Sequence, residues 1–515
     1  MQLARRTFPL LFSLGLVWTW ILHLAFANWY GGMWVEWDTA AHTRYINAVL
    51  SEGNLVPSVA YPAGFAYEEF VAIFAKTTGI PVLTLQIYVL PLLTAFFIFT
   101  LSFVVFRRLV GPSWGLLAAF LLNAQADFLF ATSRGSHEKM TLALILLVIW
   151  AVTILILPET PSRLPKPVVR RTTSVIAVSY IALLTLILTN MFFAWVLITG
   201  LLLAFLITWR SNRTERRLVP AGLMRLPAEF AVGIGVIYLF AFVYYAPAVG
   251  LQITLSTIGQ TFVNIVGGRE PFISPYSPVA EQWKSTYVWL GINLLTWVIL
   301  TASMAVSVAL LTKKWYSNQA PLKFLVALGS GFAIEVAASA FLDALSPGGI
   351  QNLQVRLLPI LLIPAAPLSA MFFRRLFDRR SRFQVPVVAM VVVILIAGSV
   401  GSVLRATADP SVSVQTRSYT SGEQSALGWL ITHRADPLTL WAGGNDRLYQ
   451  LYVLDWGYPP DRDISFWIHH QTQNVSFLLQ SPFTRGDRIE APNVREHCAT
   501  CSQVYSNGET SILYV

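Results

Sequence analysis

The sequence predicts an all-α polytopic membrane protein with about eleven transmembrane helices and a small C-terminal extracytoplasmic α/β domain. Three observations carry this. Charged residues make up 12% of the 515 positions, where a soluble domain carries about 25%, and mean hydropathy is +0.59. Apolar runs long enough to cross about 30 Å of hydrocarbon recur at 8–27, 82–106, 112–131, 137–157, 228–247, 286–312, 320–342, 356–373 and 384–404. The basic residues alternate between the two sides in step with those runs.

The first run follows Arg5-Arg6 and ends on Ala25-Phe26-Ala27, the outline of a cleavable signal peptide. Its core has full spanning length and carries Trp18 and Trp20, so it is read as a retained first helix. The stretch 173–209 is too long for one span and breaks at Thr189-Asn190-Met191, giving two. With the N-terminus inside, the inner loops hold Arg5-Arg6, Arg107-Arg108, Arg163 to Arg171, Arg210 to Arg225, Lys313-Lys314 with Lys323, and Arg374 to Arg382. The outer loops before the tail hold only Arg44, Lys76, Arg134, Lys139, Arg269, Lys284 and Arg356. The positive-inside rule then predicts a cytoplasmic N-terminus and an outside C-terminus, in what is expected to be a prokaryotic plasma membrane. Topology absorbs the net charge of +10, so no nucleic-acid partner is needed.

Residues 1–404 form the membrane domain and 405–515 the extracytoplasmic domain, with no repeat of fixed period. The outer segment 28–81 reads as a helix from Asp38 to about Leu50, a Gly/Pro break, and an amphipathic surface helix from about Phe65 to Lys76. A short outer link runs from Thr132 to Lys139. The outer segment 248–285 is long and has weak structural signals, the mark of a mobile functional loop. In the tail, Ser421-Gly422-Glu423-Gln424 starts a helix as a capping box, and Leu438 to Trp441 reads as a strand. Asn445 can cap a second helix, and Asn507-Gly508 marks a hairpin. Cys498 and Cys501 read as a local disulfide, and Asn474-Val475-Ser476 fits a glycosylation sequon.

The chemistry-bearing residues gather where the chain leaves the membrane. Asp38 and His42 are one helical turn apart and share a face; Asp38 also stands where it can cap that helix. Glu36 adds a second carboxylate, Glu138 follows Arg134 and His137, and Glu281 precedes a span. Brought together, Asp38, His137, Glu138 and Glu281 could ligate Mg²⁺ or Mn²⁺. Arg356 opens a late span as either a snorkelling anchor or a clamp on a lipid-linked phosphate. Glu335 and Asp127 lie inside spans and are expected to be protonated or hydrogen-bonded between helices.

This pattern resembles the C-type (GT-C) membrane glycosyltransferases, and within them the catalytic subunit of oligosaccharyltransferase. Asp38 followed by Arg44 matches that family's first outer-loop motif. Ser133-Arg134-Gly135-Ser136-His137-Glu138 matches the second, with His137 replacing an acid or amide. Val279-Ala280-Glu281-Gln282-Trp283 matches the third, and Arg356 matches the arginine that contacts the lipid phosphate. The WWDYG acceptor motif is missing, and eleven spans stand where the family has thirteen. The resemblance covers about 1–373.

The resemblance implies a membrane glycosyltransferase with its active site on the outer face. The donor would be a sugar on polyprenyl phosphate or pyrophosphate, and the acceptor a glycan, lipid or protein. Arg356, Arg134 and Arg44 would bind the lipid phosphate. A divalent metal would sit on Asp38, His137, Glu138 and Glu281. Asp38, Glu36, His42 and Glu281 would serve the chemistry, with Asp38 or Glu36 as the base. The alternative is a transporter or flippase of lipid-linked glycans, for which the break near Asn190 and Glu335 are the supporting features.

Overall fold

The computed structural model describes residues 2–34, 36–54, 64–156, 168–215, 235, 263, 285–312, 320–345, 353–379, 384–409, 411–413, 419–433, 438–441, 464–467, 477–480, 502–507 and 511–514. Glu281, the sequon, both cysteines, the helix expected from Asn445 and nearly all of 228–284 lie outside the described residues.

Every predicted apolar run within the described residues lies on helix. The helices are α1 (Gln2–Asn28), α2 (Trp37–Glu52), α3 (Ala66–Thr78), α4 (Val82–Val110), α5 (Pro112–Asn123), α6 (Ala126–Ser133) and α7 (Glu138–Ile156). They continue as α8 (Val168–Thr189), α9 (Met191–Glu215), α10 (Thr286–Ile292), α11 (Leu294–Thr312), α12 (Ala320–Leu345), α13 (Leu353–Arg379) and α14 (Gln384–Ala406). Among the described residues, six helices are long and apolar enough to cross a membrane, and eight if two bent pairs each count as one span. The break read at 189–191 is real. Asn190 separates α8 from α9 and caps α9, its Oδ1 accepting the Phe193 N–H at 3.1 Å.

Two spans expected to be straight are bent: α5 and α6 meet at 70°, and α10 and α11 at 68°. A polar residue stands at each bend. Gln125 Oε1 accepts the Phe128 N–H at 2.8 Å, and Asn293 Nδ2 donates to the Trp289 carbonyl at 2.8 Å. Backbone groups freed at a bend inside the membrane need such partners.

One apolar core joins the spanning helices, with Phe99, Phe106, Phe128 and Phe332 fully buried. Where α9 crosses α12, a Cβ on Gly331 would lie 2.7 Å from the Gly200 carbonyl, so both positions need glycine for this approach. Glu335 accepts a hydrogen bond from Thr199 across the same pair, the interhelical bond expected for it. A second apolar cluster of Ile46, Val49, Tyr67, Val71, Ala72, Ala75, Leu85 and Leu90 presses α2 and α3 onto the start of α4. This packs α2 and α3 together against the spanning bundle.

At the start of α2 the cap is Glu36, not Asp38. Glu36 has extended backbone, and its Oε2 accepts from the Thr39 N–H and hydroxyl at 3.0 Å each. Asp38 sits in the first turn and is thereby released for other contacts.

In the tail, α15 (Ser421–His433) is capped one residue earlier than expected. Thr420 Oγ1 accepts the Glu423 N–H, and Glu423 accepts the Thr420 N–H. Strands β1 (Leu438–Trp441), β2 (Ile464–Trp467), β3 (Phe477–Gln480), β4 (Ser502–Ser506) and β5 (Ser511–Tyr514) form a sheet ordered β2-β1-β3-β5-β4. β1 is parallel to β2 and β3, and β5 is antiparallel to β3 and β4. Ser506 pairs with Ser511 around Asn507-Gly508, as that dipeptide predicts. Trp29 Nε1 donates to Asp409 at 2.7 Å, and the Tyr419 N–H donates to the Met33 carbonyl at 3.2 Å, tying α1 to the chain beyond α14.

Candidate active site

The Ser133–Glu138 link between α6 and α7 is pinned on all sides, and this decides where Arg134 points. The Gly135 N–H donates to Thr39 Oγ1 at 3.1 Å, and Gln86 Nε2 donates to the Gly135 carbonyl at 3.1 Å. A Cβ on Gly135 would lie 2.5 Å from the Thr39 methyl, so only glycine lets the link come this close to α2. Lys139 is buried, its Nζ donating to the carbonyls of Gln86 and Arg134.

Held in this way, Arg134 projects into three carboxylates. Its Nη1 meets Glu36 Oε1 at 2.9 Å, its Nη2 meets Asp38 Oδ2 at 2.9 Å, and its Nε and Nη2 meet the two Glu138 oxygens at 2.9 and 2.5 Å. The Phe130 ring lies under the guanidinium, 4.7 Å from its carbon. The carboxylates read from two separate outer segments therefore do converge. What joins them is a guanidinium, whose planar fork suits several oxygen acceptors at once.

The charges tune one another. Burial alone would raise the Asp38 carboxyl, but Arg134, helped by Arg356, His42 and His137, outweighs it and holds Asp38 well below the usual carboxylate range. Burial would weaken the Arg134 cation, yet Glu138, Asp38 and Glu36 together push its pKa up.

Behind this cluster runs a buried polar chain. His42 Nδ1 is 2.6 Å from Glu68 Oε1, His42 Nε2 is 2.9 Å from His137 Nδ1, and His137 Nε2 is hydrogen-bonded to Asn190 Nδ2. These contacts bear on the expected metal site. Both His137 ring nitrogens face protein groups, and Asp38 and Glu138 both face Arg134. Among the described residues no group of three or more His, Cys, Asp or Glu side chains is arranged to hold a metal ion. The hard carboxylate oxygens suit Mg²⁺ or Mn²⁺ by chemistry. Of the expected set, Asp38 and Glu138 both engage Arg134, and Glu281 lies outside the described residues.

Arg356, near the start of α13, lines a cavity of about 200 Å³ together with Arg134, Glu138, Asp127, Phe130 and Phe193. Arg44, half-buried on α2, does not line it; six residues beyond Asp38, it points to another side of the helix. Sequence reasoning missed Glu68 and Gln86, and it read Asn190 only as a break. The signal for Asn190 was its place just before an apolar helix, where asparagine is a preferred cap.

Burial, and next the neighbouring His42, hold the His137 pKa well below that of an ordinary histidine, against a smaller opposing pull from Asp38. An unfolded histidine titrates near 6.5, so between the two values only the unfolded chain binds the proton. Stability is then full above about pH 6.5 and falls as pH drops below it, by about 1.4 kcal/mol per pH unit from this group. The apparent melting temperature in detergent is expected to fall on the acid side, and to fall less in His137→Gln. An identical acid-side slope in the variant would refute this.

Neither a protein-family model nor a curated protein matches the sequence. Solved structures do match. The oligosaccharyltransferase AglB from Archaeoglobus fulgidus, in complex with an inhibitory peptide and a dolichol-phosphate, gives a TM-score of 0.55 at 12% identity, over 91% of this chain and 69% of AglB. An oligosaccharyltransferase structure from the same organism, with Zn and sulfate, gives 0.54 at 10% identity over 91% and 68%. ArnT from Cupriavidus metallidurans gives 0.53 at 12% identity over 99% of this chain and 98% of ArnT, and another ArnT structure holds undecaprenyl phosphate. At such identities the likeness is one of fold, and it is the membrane fold that the sequence resemblance to the GT-C glycosyltransferases implies.

Proposed function

We propose that this protein is a membrane glycosyltransferase that moves a sugar from a polyprenyl-phosphate- or pyrophosphate-linked donor to an acceptor at the outer face. The observation that carries the reading is the meeting of Arg134, Glu138 and Arg356, drawn from the α6–α7 link, α7 and α13, around one cavity, with Asp38 of α2 bonded to Arg134 beside it. The full topology we assign has eleven spans, with residues 405–515 as an extracytoplasmic α/β domain. The lipid-bound ligands of AglB and ArnT support the donor class.

In this reading Arg356 binds the donor phosphate and stabilises the charge that grows on it as the bond from C1 to the phosphate oxygen breaks. Positive charge develops at C1 at the same time. Asp38, ionised at all working pH values, faces that charge and accepts a hydrogen bond from the incoming acceptor group. The acceptor atom bonds to C1, and its proton leaves by way of the carboxylate to the departing phosphate or to water. Glu36, engaged by Arg134 and by its own helix cap, is the poorer candidate for this role. No step is routed through a metal, because Glu36, Asp38 and Glu138 are all bound to Arg134.

The test is sugar release from a radiolabelled polyprenyl-phosphate sugar by purified protein in detergent. Arg356→Gln is expected to raise KM, and Asp38→Asn to lower kcat by about a hundredfold or more, the size of one lost transition-state contact. The broken spans favour the alternative of a transporter of lipid-linked glycans. A transporter predicts no release in detergent from native protein, and that outcome would sink the transferase reading.

A further inference from the structure

The protons on the two buried histidines can be assigned from one helix cap. Asn190 Oδ1 accepts the Phe193 N–H at 3.1 Å, and a backbone amide can only donate. The Asn190 amide is therefore oriented, and its Nδ2, a donor only, faces His137 Nε2. His137 Nε2 must accept, which places the His137 proton on Nδ1. That proton points at His42 Nε2, 2.9 Å away, which must accept in turn. The His42 proton is then on Nδ1 and is donated to Glu68 Oε1 at 2.6 Å. All four residues are at most 2% exposed, so water does not take over these bonds.

We infer that Asn190, His137, His42 and Glu68 form a one-way hydrogen-bond chain ending on a carboxylate, with both imidazoles neutral and protonated on Nδ1, and that this chain positions the active-site acids. His137 lies between Arg134 and Glu138 in the link, and His42 lies one turn from Asp38 on α2. Drawing these two rings together sets the separation between Asp38 and Glu138, the two sides of the grip on Arg134. Neither imidazole keeps a lone pair for a metal or for a proton from substrate. Glu68 and Asn190 are positioning residues that act through the histidines. The proton assignment stands on geometry alone, whereas its effect on turnover rests on the function proposed above.

The first test needs no activity: nitrogen-15 NMR of histidine-labelled full-length protein in detergent, with the two rings assigned by their loss in His42→Asn and His137→Asn. Two neutral rings carrying the proton on Nδ1, unmoved by added Zn²⁺ or Mn²⁺, are expected. A proton on Nε2 of either ring, a doubly protonated ring, or a metal-induced shift overturns the inference. The second test compares Glu68→Gln, whose amide oxygen can still accept, with Glu68→Leu, which strands the His42 N–H. Gln is expected to keep kcat within about threefold, while Leu lowers it about tenfold or more at unchanged KM. Equal damage from both variants overturns the positioning role, since it would mean that the Glu68 charge itself matters. If Glu68→Leu fails to fold, the NMR measurement on native protein still decides. If native protein transfers no sugar, the functional reading fails and the proton assignment is judged by NMR alone.

Discussion

Arg134→Met is expected to destabilise the protein by about 3–5 kcal/mol, the range for removing one partner of a buried ionic group. Arg134 is the cation bonded directly to Glu36, Asp38 and Glu138, and its side chain is 9% exposed, with 10%, 15% and 7% for the acids. Without it, three carboxylates face one another in a site with little water. A point charge cannot reach all three acids in one plane, so Arg134→Lys should recover only part of the loss. The pH dependence separates this from lost packing over Phe130. In native protein the Asp38 contribution is present above the unfolded carboxylate range and is lost only as pH falls through its depressed folded value. In Arg134→Met the Asp38 carboxyl loses the cation that holds it low, so its pKa rises and its protonation relieves the repulsion. The deficit relative to native protein should shrink as pH falls from about 7 to about 5. A deficit of constant size, or none, would show that Arg134 does not hold the acids together.

How far the sequence announces this site differs from residue to residue. Asp38, Glu138 and Arg356 are legible because acids and arginines at outer helix ends are costly to keep beside a membrane without a use. Their convergence is tertiary and cannot be read from local spacing. The role of Arg134 was half legible. The motif points to phosphate binding, but only coordinates show three acids already on its guanidinium. The cap at Glu36 was misassigned to Asp38 because either residue type can cap, and the choice depends on where the backbone turns from extended to helical, which here is at Glu36. Glu68 gave no signal, since an acid on an amphipathic helix reads as the solvated face until the fold buries it against His42. The span positions, the break at Asn190 and the hairpin at Asn507-Gly508 were legible because each follows from length, a breaker or a turn dipeptide. The two bends were not. A single glutamine or asparagine within an apolar run looks tolerable until a distant charge gathers it in.

That distant charge is Arg405, and removing its partner is the second large expected effect. Arg405, near the C-terminal end of α14, bonds both oxygens of Asp127, with the Nη1–Oδ2 contact at 2.9 Å, and also reaches Asn293 Oδ1. Gln125 Nε2 donates to Asp127 Oδ2 at 2.6 Å and to Thr296 Oγ1 at 2.8 Å. The polar residues that stabilise both bends thus meet on one arginine, and the Arg405 and Asp127 side chains are only 13% and 10% exposed. Asp127→Asn leaves that cation without its carboxylate and is expected to cost about 3–5 kcal/mol; Arg405→Gln strands the acid with a similar loss. Because the two single changes break the same pair, their effects should not add. The double variant Asp127→Asn/Arg405→Gln should be more stable than the sum of the singles predicts, by about 1–3 kcal/mol. Apparent unfolding free energies of the four proteins, compared in one detergent, measure that coupling. Strict additivity would mean that the bends are held by helix packing and that the ion pair is incidental. A positive coupling would mean that one side chain beside the tail locks two broken spans, of which α6 leads directly into Arg134.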